Sequence, residues 1–180
     1  MPEAIHHARI EVRLRELSQL FNSMDPSPFN ERDLDADAEE FIVSWARELP
    51  AHGDIKLVVH LATPPPPERA VETERAVRHF FMERAEMKRL EFRLLMRRGR
   101  LSLLIGLLFL ALCIVAGQLV ATMDYGTAAS VVREGLTIGG WVAMWRPLQI
   151  FLYDWWPVRD ECGVLGRLAR MRVELVMPKV

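Results

Sequence analysis

The chain is poor in lysine, cysteine and tyrosine, and one long stretch of it carries no charge. Its 23 basic residues include only three lysines. The two cysteines, Cys113 and Cys162, form no CxxC and have no zinc-ligand spacing, which excludes a disulfide framework and a structural zinc knuckle. Cys113 reads as a small packing residue and Cys162 as a reduced thiol. There is no P-loop, GxGxxG, GxSxG or HExxH, so the sequence offers no catalytic constellation, and neither enzyme activity nor a cofactor is expected. His6, His7, His52, His60 and His79 are scattered, and no metal site is expected. Asp33, Asp35 and Asp37 resemble the opening of a calcium loop, but Ala38 stands at the sixth place and Ser44 at the twelfth, which favours a helix cap. Ser27, in Asp-Pro-Ser-Pro, reads as a turn residue, with phosphorylation as the alternative. Residues 1–30 carry Arg9, Glu11, Arg13 and Arg15 where a signal peptide has an apolar core, so no cleavable signal is expected. A net charge of −1, and 16 basic against 18 acidic residues over 1–100, disfavour general nucleic-acid binding.

What is present is sharply sorted. Bulk values are ordinary, 51% hydrophobic and 26% charged, yet residues 101–122 are uncharged while 67–100 hold ten Lys/Arg and six Glu. A 22-residue helix reaches ~33 Å, enough for a hydrocarbon core of ~30 Å, so 101–122 predicts a first transmembrane helix. Arg97, Arg98 and Arg100 precede it and favour the cytoplasmic side. A link at 123–127 leads to a second expected span at 128–146, which holds Arg133 and Glu134 near its start and closes on Arg146. That pair reads as snorkelling to the far interface, against an intramembrane ion path. Residues 147–157, with Trp155 and Trp156, form an expected interfacial aromatic anchor. Small residues recur at four-residue spacing as Gly135, Gly139 and Ala143, as Cys113, Gly117 and Ala121, and as Ser102 and Gly106. Such rows let helices approach closely in lipid; one is expected to pack the hairpin and another to face a neighbouring copy.

The remainder predicts a small cytosolic head. Strict alternation marks strands at 8–15 (Ile10, Val12, Leu14 inward), 55–61 (Ile55, Leu57, Val59, Leu61 inward) and 171–177. Ala38, Phe41, Ile42, Trp45 and Leu49 mark a helix over 36–49 after an acidic start. This is a βαβ head over 1–63 that 158–180 completes with a helix and strand, so the head is built from both chain ends. Residues 18–34 read as a loop with one short helical turn. Pro64 to Pro67 form an extended spacer, and 64–100 is expected to be a helical stalk with a bend at Gly99. Its stripe of Val77, Phe80, Phe81, Met87, Leu90 and Leu94 calls for a cover, at least partly from another chain. The fold class is thus an α+β membrane protein: a three-stranded α/β head, a long stalk and a two-helix transmembrane hairpin.

The one site-like surface is the outward face of the sheet, where Arg9, Arg13, Arg15, Lys56, His60 and Arg172 oppose Glu11 and Glu174. Anion binding there competes with plain cross-strand ion pairing. The stretches LFNSMDPSPFNERDLDADAEEFIVSWARE and WRPLQIFLYDWWP resemble those of small bacterial membrane proteins that join a cytosolic head to a membrane hairpin. The arginine-rich composition fits a GC-rich bacterial genome. The resemblance implies a bacterial inner-membrane location and carries no activity, while a single hairpin with Arg97, Arg98 and Arg100 on the cytoplasmic side is expected to leave both termini cytoplasmic. The expected function is a homo-oligomeric scaffold in contact with membrane lipids. The alternatives are an accessory subunit of a larger membrane complex, or a sensor binding an anionic ligand on the sheet face.

Overall fold

The structure is a computed structural model and describes residues 8–50, 53–122 and 126–177. His6, His7 and His52, and positions 123–125 of the expected link, lie outside the described residues. The chain is a mixed helix and sheet protein with a three-stranded parallel sheet and one long apolar helix. Its elements are β1 (Ala8–Leu14), α1 (Ala36–Glu48), β2 (Ile55–Leu61), α2 (Pro67–Thr122), α3 (Gly126–Ala143), α4 (Trp145–Gln149), α5 (Trp155–Leu168) and β3 (Arg172–Val176). They form two compact units, one running to Lys88 and resuming at Asp160, the other spanning Arg89–Arg159.

In the first unit the strands lie in the order β1-β2-β3, all parallel. Register aligns Ile10 with Leu57 and Val173, and Val12 with Val59 and Leu175. Period-two alternation therefore places these rows on one face. That face carries the core, filled by Ile42 and Ala46 of α1, Val77, Phe80 and Phe81 of α2, and Leu165 and Leu168 of α5. An order that always advances the same way, with right-handed crossovers, sends both connections over the same face and leaves the other uncovered. The first crossover is α1. The second is the whole stretch 62–171, so β3 reaches β2 only after the entire second unit.

Helix α1 starts at Asp35, whose side chain accepts from the Asp37 N–H, with Asp37 and Glu39 in the first turn. Its buried centre is Ile42 and Ala46, while Phe41 and Trp45 of the expected inward stripe lie on the flank, 42% and 45% exposed. Ala46 accounts for the rotation: its small side chain lets α1 sit close, and Arg167 of α5 donates to the Ala46 carbonyl at 2.8 Å and the Pro50 carbonyl at 2.6 Å. The Glu161 carboxylate of α5 joins three helices, accepting from Arg47 of α1 and pairing with Lys88 of α2, both at 2.7 Å. Its pKa is held below the ordinary carboxylate range, chiefly by the Lys88 hydrogen bond, against the opposing effect of burial.

The expected loop at 18–34 contains two short 3-10 turns, Leu17–Leu20 and Phe29–Glu31. It closes on itself through a bridge between Phe21 and Leu34. The Asp25 side chain pins its middle, accepting from the Ser27 N–H at 2.9 Å and the Asp33 N–H at 2.7 Å. These bonds lower the Asp25 pKa, with the Asp33 N–H the largest cause. Ser27 thus sits in an Asx turn.

The stretch expected to stand as a stalk begins inside the head. Ala76, Val77, Phe80, Phe81 and Ala85 belong to the head's core, so this part of the stripe is covered by the chain itself. Met87, Leu90 and Leu94 lie beyond it, 44–56% exposed.

In the second unit α2 continues without a break through Gly99. A methyl group on Gly99 would lie 2.9 Å from Ile150 Cγ2 and 3.2 Å from the Phe151 ring, so glycine serves close approach there rather than the expected bend. Gly140 is likewise tight, 2.8 Å from Leu110 Cδ1 and 3.3 Å from Cys113 Cβ by the same construction. Helical structure then runs from α4 through a π-turn at Ile150–Asp154 into α5, merging the expected interfacial segment with the expected 159–171 helix. Pro157 explains the π-turn. It has no N–H for the carbonyl one turn back, and its ring crowds that carbonyl, so the preceding turn widens.

Candidate functional site

The open face of the sheet presents Arg9, Glu11 and Arg13 from β1, Lys56, Val58 and His60 from β2, and Arg172 and Glu174 from β3. Register aligns Arg9, Lys56 and Arg172 in one row and Glu11, Val58 and Glu174 in the next. A basic row beside an acidic row favours cross-strand pairing. Arg9 contacts Glu11 at 3.3 Å, Lys56 pairs with Glu174, and His60 Nε2 lies 3.4 Å from Glu11. The Lys56 hydrogen bond and charge, with a smaller contribution from Arg9, lower the Glu174 pKa. Two carboxylates thus offset Arg9 and Lys56, which leaves Arg13 and Arg172 as exposed guanidiniums on the face. Arg15 lies one residue past β1; the ladder extends through its carbonyl to the Thr63 N–H at 3.1 Å. The face is mostly self-neutralised, and Val58 at its centre is 4% exposed.

The helix-packing residues divide into those already in contact and those left open. Cys113 and Gly106 of α2 are buried, Cys113 beside Gly140 and Gly106 beside Ala143 and Met144. Gly117 meets Arg133, whose aliphatic stem lies 3.2 Å from a methyl group built there. Ala121 is exposed, Ala143 half-buried, and nothing lies within 4 Å of a methyl group at Gly135 or Gly139. Among the expected anchors, Arg97, Arg98 and Arg100 are exposed. Arg146 lies 3.7 Å from Asp154. Trp155 and Trp156 stack with centroids 4.7 Å apart, Arg159 covers Trp155, and Trp156 is 62% exposed.

Sequence reasoning did not single out Arg32 and Arg69. They line a cleft of about 350 Å³ between the loop after β1 and the Thr63 to Pro66 connection after β2. Periodicity could not find it, because most of its walls are irregular chain; the signal was the proline run from Pro64 directly after a strand, with Arg69 just beyond it. No family model, curated protein or solved structure matches this chain, so the residues and their geometry are the basis for assigning a function.

Proposed function

We propose that the chain is a non-enzymatic scaffold of the bacterial inner membrane, in which residues 101–122 and α3 form an antiparallel hairpin and copies associate through the hairpin. The observation that carries this reading is how α2 is buried. Its most apolar 18-residue window has a mean hydropathy of 2.7, yet only 17% of it is buried, and Leu101, Leu104, Leu108 and Leu112 are each more than half exposed. Water does not tolerate so large an apolar surface, and lipid does. The buried row of α2, at Gly106, Cys113 and Gly117, meets 144, 140 and 133 in reverse order, as a hairpin requires. Arginines 97, 98, 100 and 146 gather where Gly99 meets Ile150, which supports a cytoplasmic side for that end. On α3, Arg133 and Glu134 lie within the first nine residues, so the expensive charges stay near one interface.

The open positions at Gly135 and Gly139, together with exposed Met87, Leu90 and Leu94, support contact with a second copy. The test is the mass of the full chain in lipid nanodiscs and detergent across a concentration series. A defined oligomer that Gly139→Leu reduces to a monomer supports the scaffold. A monomer at every concentration overturns it, and stoichiometric unrelated chains in native-membrane preparations replace it with the accessory-subunit reading. Topology has its own test. Thr127→Cys, in a background without Cys113 and Cys162, is labelled on intact cells by a membrane-impermeant maleimide; absence of labelling there, with labelling in opened cells, excludes the hairpin.

A further inference from the structure

The cleft lined by Arg32 and Arg69 lies at the carboxyl ends of β1 and β2. This is where loops of neighbouring parallel strands diverge, and it is the end of α/β folds on which ligand sites are built. Two guanidiniums line it without a carboxylate in contact with either. The Arg69 guanidinium sits 5.0 Å above the Phe29 ring, which holds it in place but leaves its N–H donors for other acceptors. No carboxylate oxygen lies within 4 Å of either guanidinium among the described residues. Arg32 Nε is buried and finds no hydrogen-bond acceptor, a condition that native proteins rarely leave unanswered.

The acids nearby are already engaged. Glu16, the one acid lining the cleft, accepts from Ser18 Oγ at 3.2 Å. Asp25, whose field reaches Arg32, is bound to two backbone N–H groups of its own loop. Both carboxylates keep their charge, but neither comes within 4 Å of Arg32 or Arg69, so the guanidinium donors stay open to a ligand. Besides Leu17, Ser18 and Thr63, the walls carry stiff apolar surfaces: Pro64 to Pro66, and Phe21 and Phe29 with ring centroids 4.8 Å apart. A free volume of about 350 Å³ is at the small end of the range for metabolite pockets, roughly 300–1,000 Å³.

We propose that this cleft binds a small organic anion, a phosphate or carboxylate carried on a flat apolar body. The charged group bridges Arg32 and Arg69, and the body lies between the proline wall and the phenylalanine rings. A small rotation of the Arg32 side chain brings its unsatisfied donor to the anion. This site is independent of the membrane hairpin and of oligomerisation, and it differs from the sheet face, where the carboxylates are already paired with bases.

The test is calorimetric titration of the full chain in nanodiscs with three probes: phenyl phosphate, inorganic phosphate and phenol. Phenyl phosphate is expected to bind saturably and more tightly than either fragment. Arg32→Gln and Arg69→Gln each weaken it by about tenfold or more, while Arg13→Gln on the sheet face leaves it unchanged. Unchanged protease resistance of the head in the two cleft variants excludes misfolding as the cause. The proposal is overturned if phenyl phosphate shows no saturable binding, if binding survives both cleft substitutions, or if Arg13→Gln abolishes it. None of these results bears on the oligomeric mass, so the two proposals fail separately.

Discussion

Single carboxylates tie parts of the head together: Asp25 within its loop, Glu161 between helices and Glu174 between strands. Asp25, Glu161 and Glu174 all have pKa values below their ordinary range. A carboxylate whose pKa is lower in the folded than in the unfolded chain stabilises the fold above about pH 4 and loses that contribution as pH falls through the folded value. The head is therefore expected to weaken below about pH 4, seen as rising protease sensitivity between pH 5 and 2 at constant ionic strength; a flat profile contradicts this. Asp25→Ala is expected to speed amide exchange at Ser27 and Asp33 while sparing β2, as hydrogen exchange would read. Glu161→Gln is a milder change, below ~1 kcal/mol, because the carboxylate is partly solvated. The stripe on α2 separates by residue as well. Phe81→Ala, at 0% exposure, costs the head about 3–5 kcal/mol, whereas Leu90→Ala, 56% exposed, stays within ~0.5 kcal/mol. In pulse proteolysis the first accelerates cleavage of the head and the second does not. In the oligomer assay Leu90→Ala weakens association.

Among the elements, regular ones were legible in the sequence and irregular ones were not. Alternation located β1 and β2, and helical spacing after the acidic run Asp33, Asp35 and Asp37 located α1, because burial on one face writes its period into the residues. Alternation could not reveal that the sheet is covered on one side only, which follows from strand order. The stalk's stripe was legible but its partner was not: a row of Val77, Phe80 and Phe81 looks the same whether β2 or a second chain covers it. Gly99 shows a similar ambiguity, since a glycine in a helix can mark a bend or a close approach and only the Ile150 contact decides. The cleft was hidden because Arg32, in the loop after β1, and Arg69, in the first turn of α2, are 37 residues apart in sequence and line it together only in the fold. The glycines of the second unit separate packing within a chain from packing between chains. Gly140→Leu is expected to lower the thermal stability of the chain, since its side chain would collide with Leu110 and Cys113. A methyl group at Gly135 meets nothing within 4 Å, so Gly135→Leu is expected to leave that stability intact. Equal effects of the two on melting would contradict this assignment.

For the whole molecule, the head draws on both ends of the chain, and β3 pairs with the central strand. Stopping the chain after Arg170 removes Val173 and Leu175 from the core's edge and one of the two partners of β2. Limited proteolysis is expected to digest the head of this truncated chain at protease levels that spare the full one; equal resistance would mean that β1, β2 and α1 suffice. The distance along the chain between β2 and β3 also gives the head a clock. The 110 residues from 62 to 171 separate the central strand from its last neighbour, which is about 5–20 s of translation at about 5–20 residues per second. During that interval β2 has a raw edge. In the reading proposed above, the hairpin is made within the same interval, so a closed head certifies that the anchor has been synthesised, and a nascent chain stalled before β3 leaves the edge of β2 unpaired.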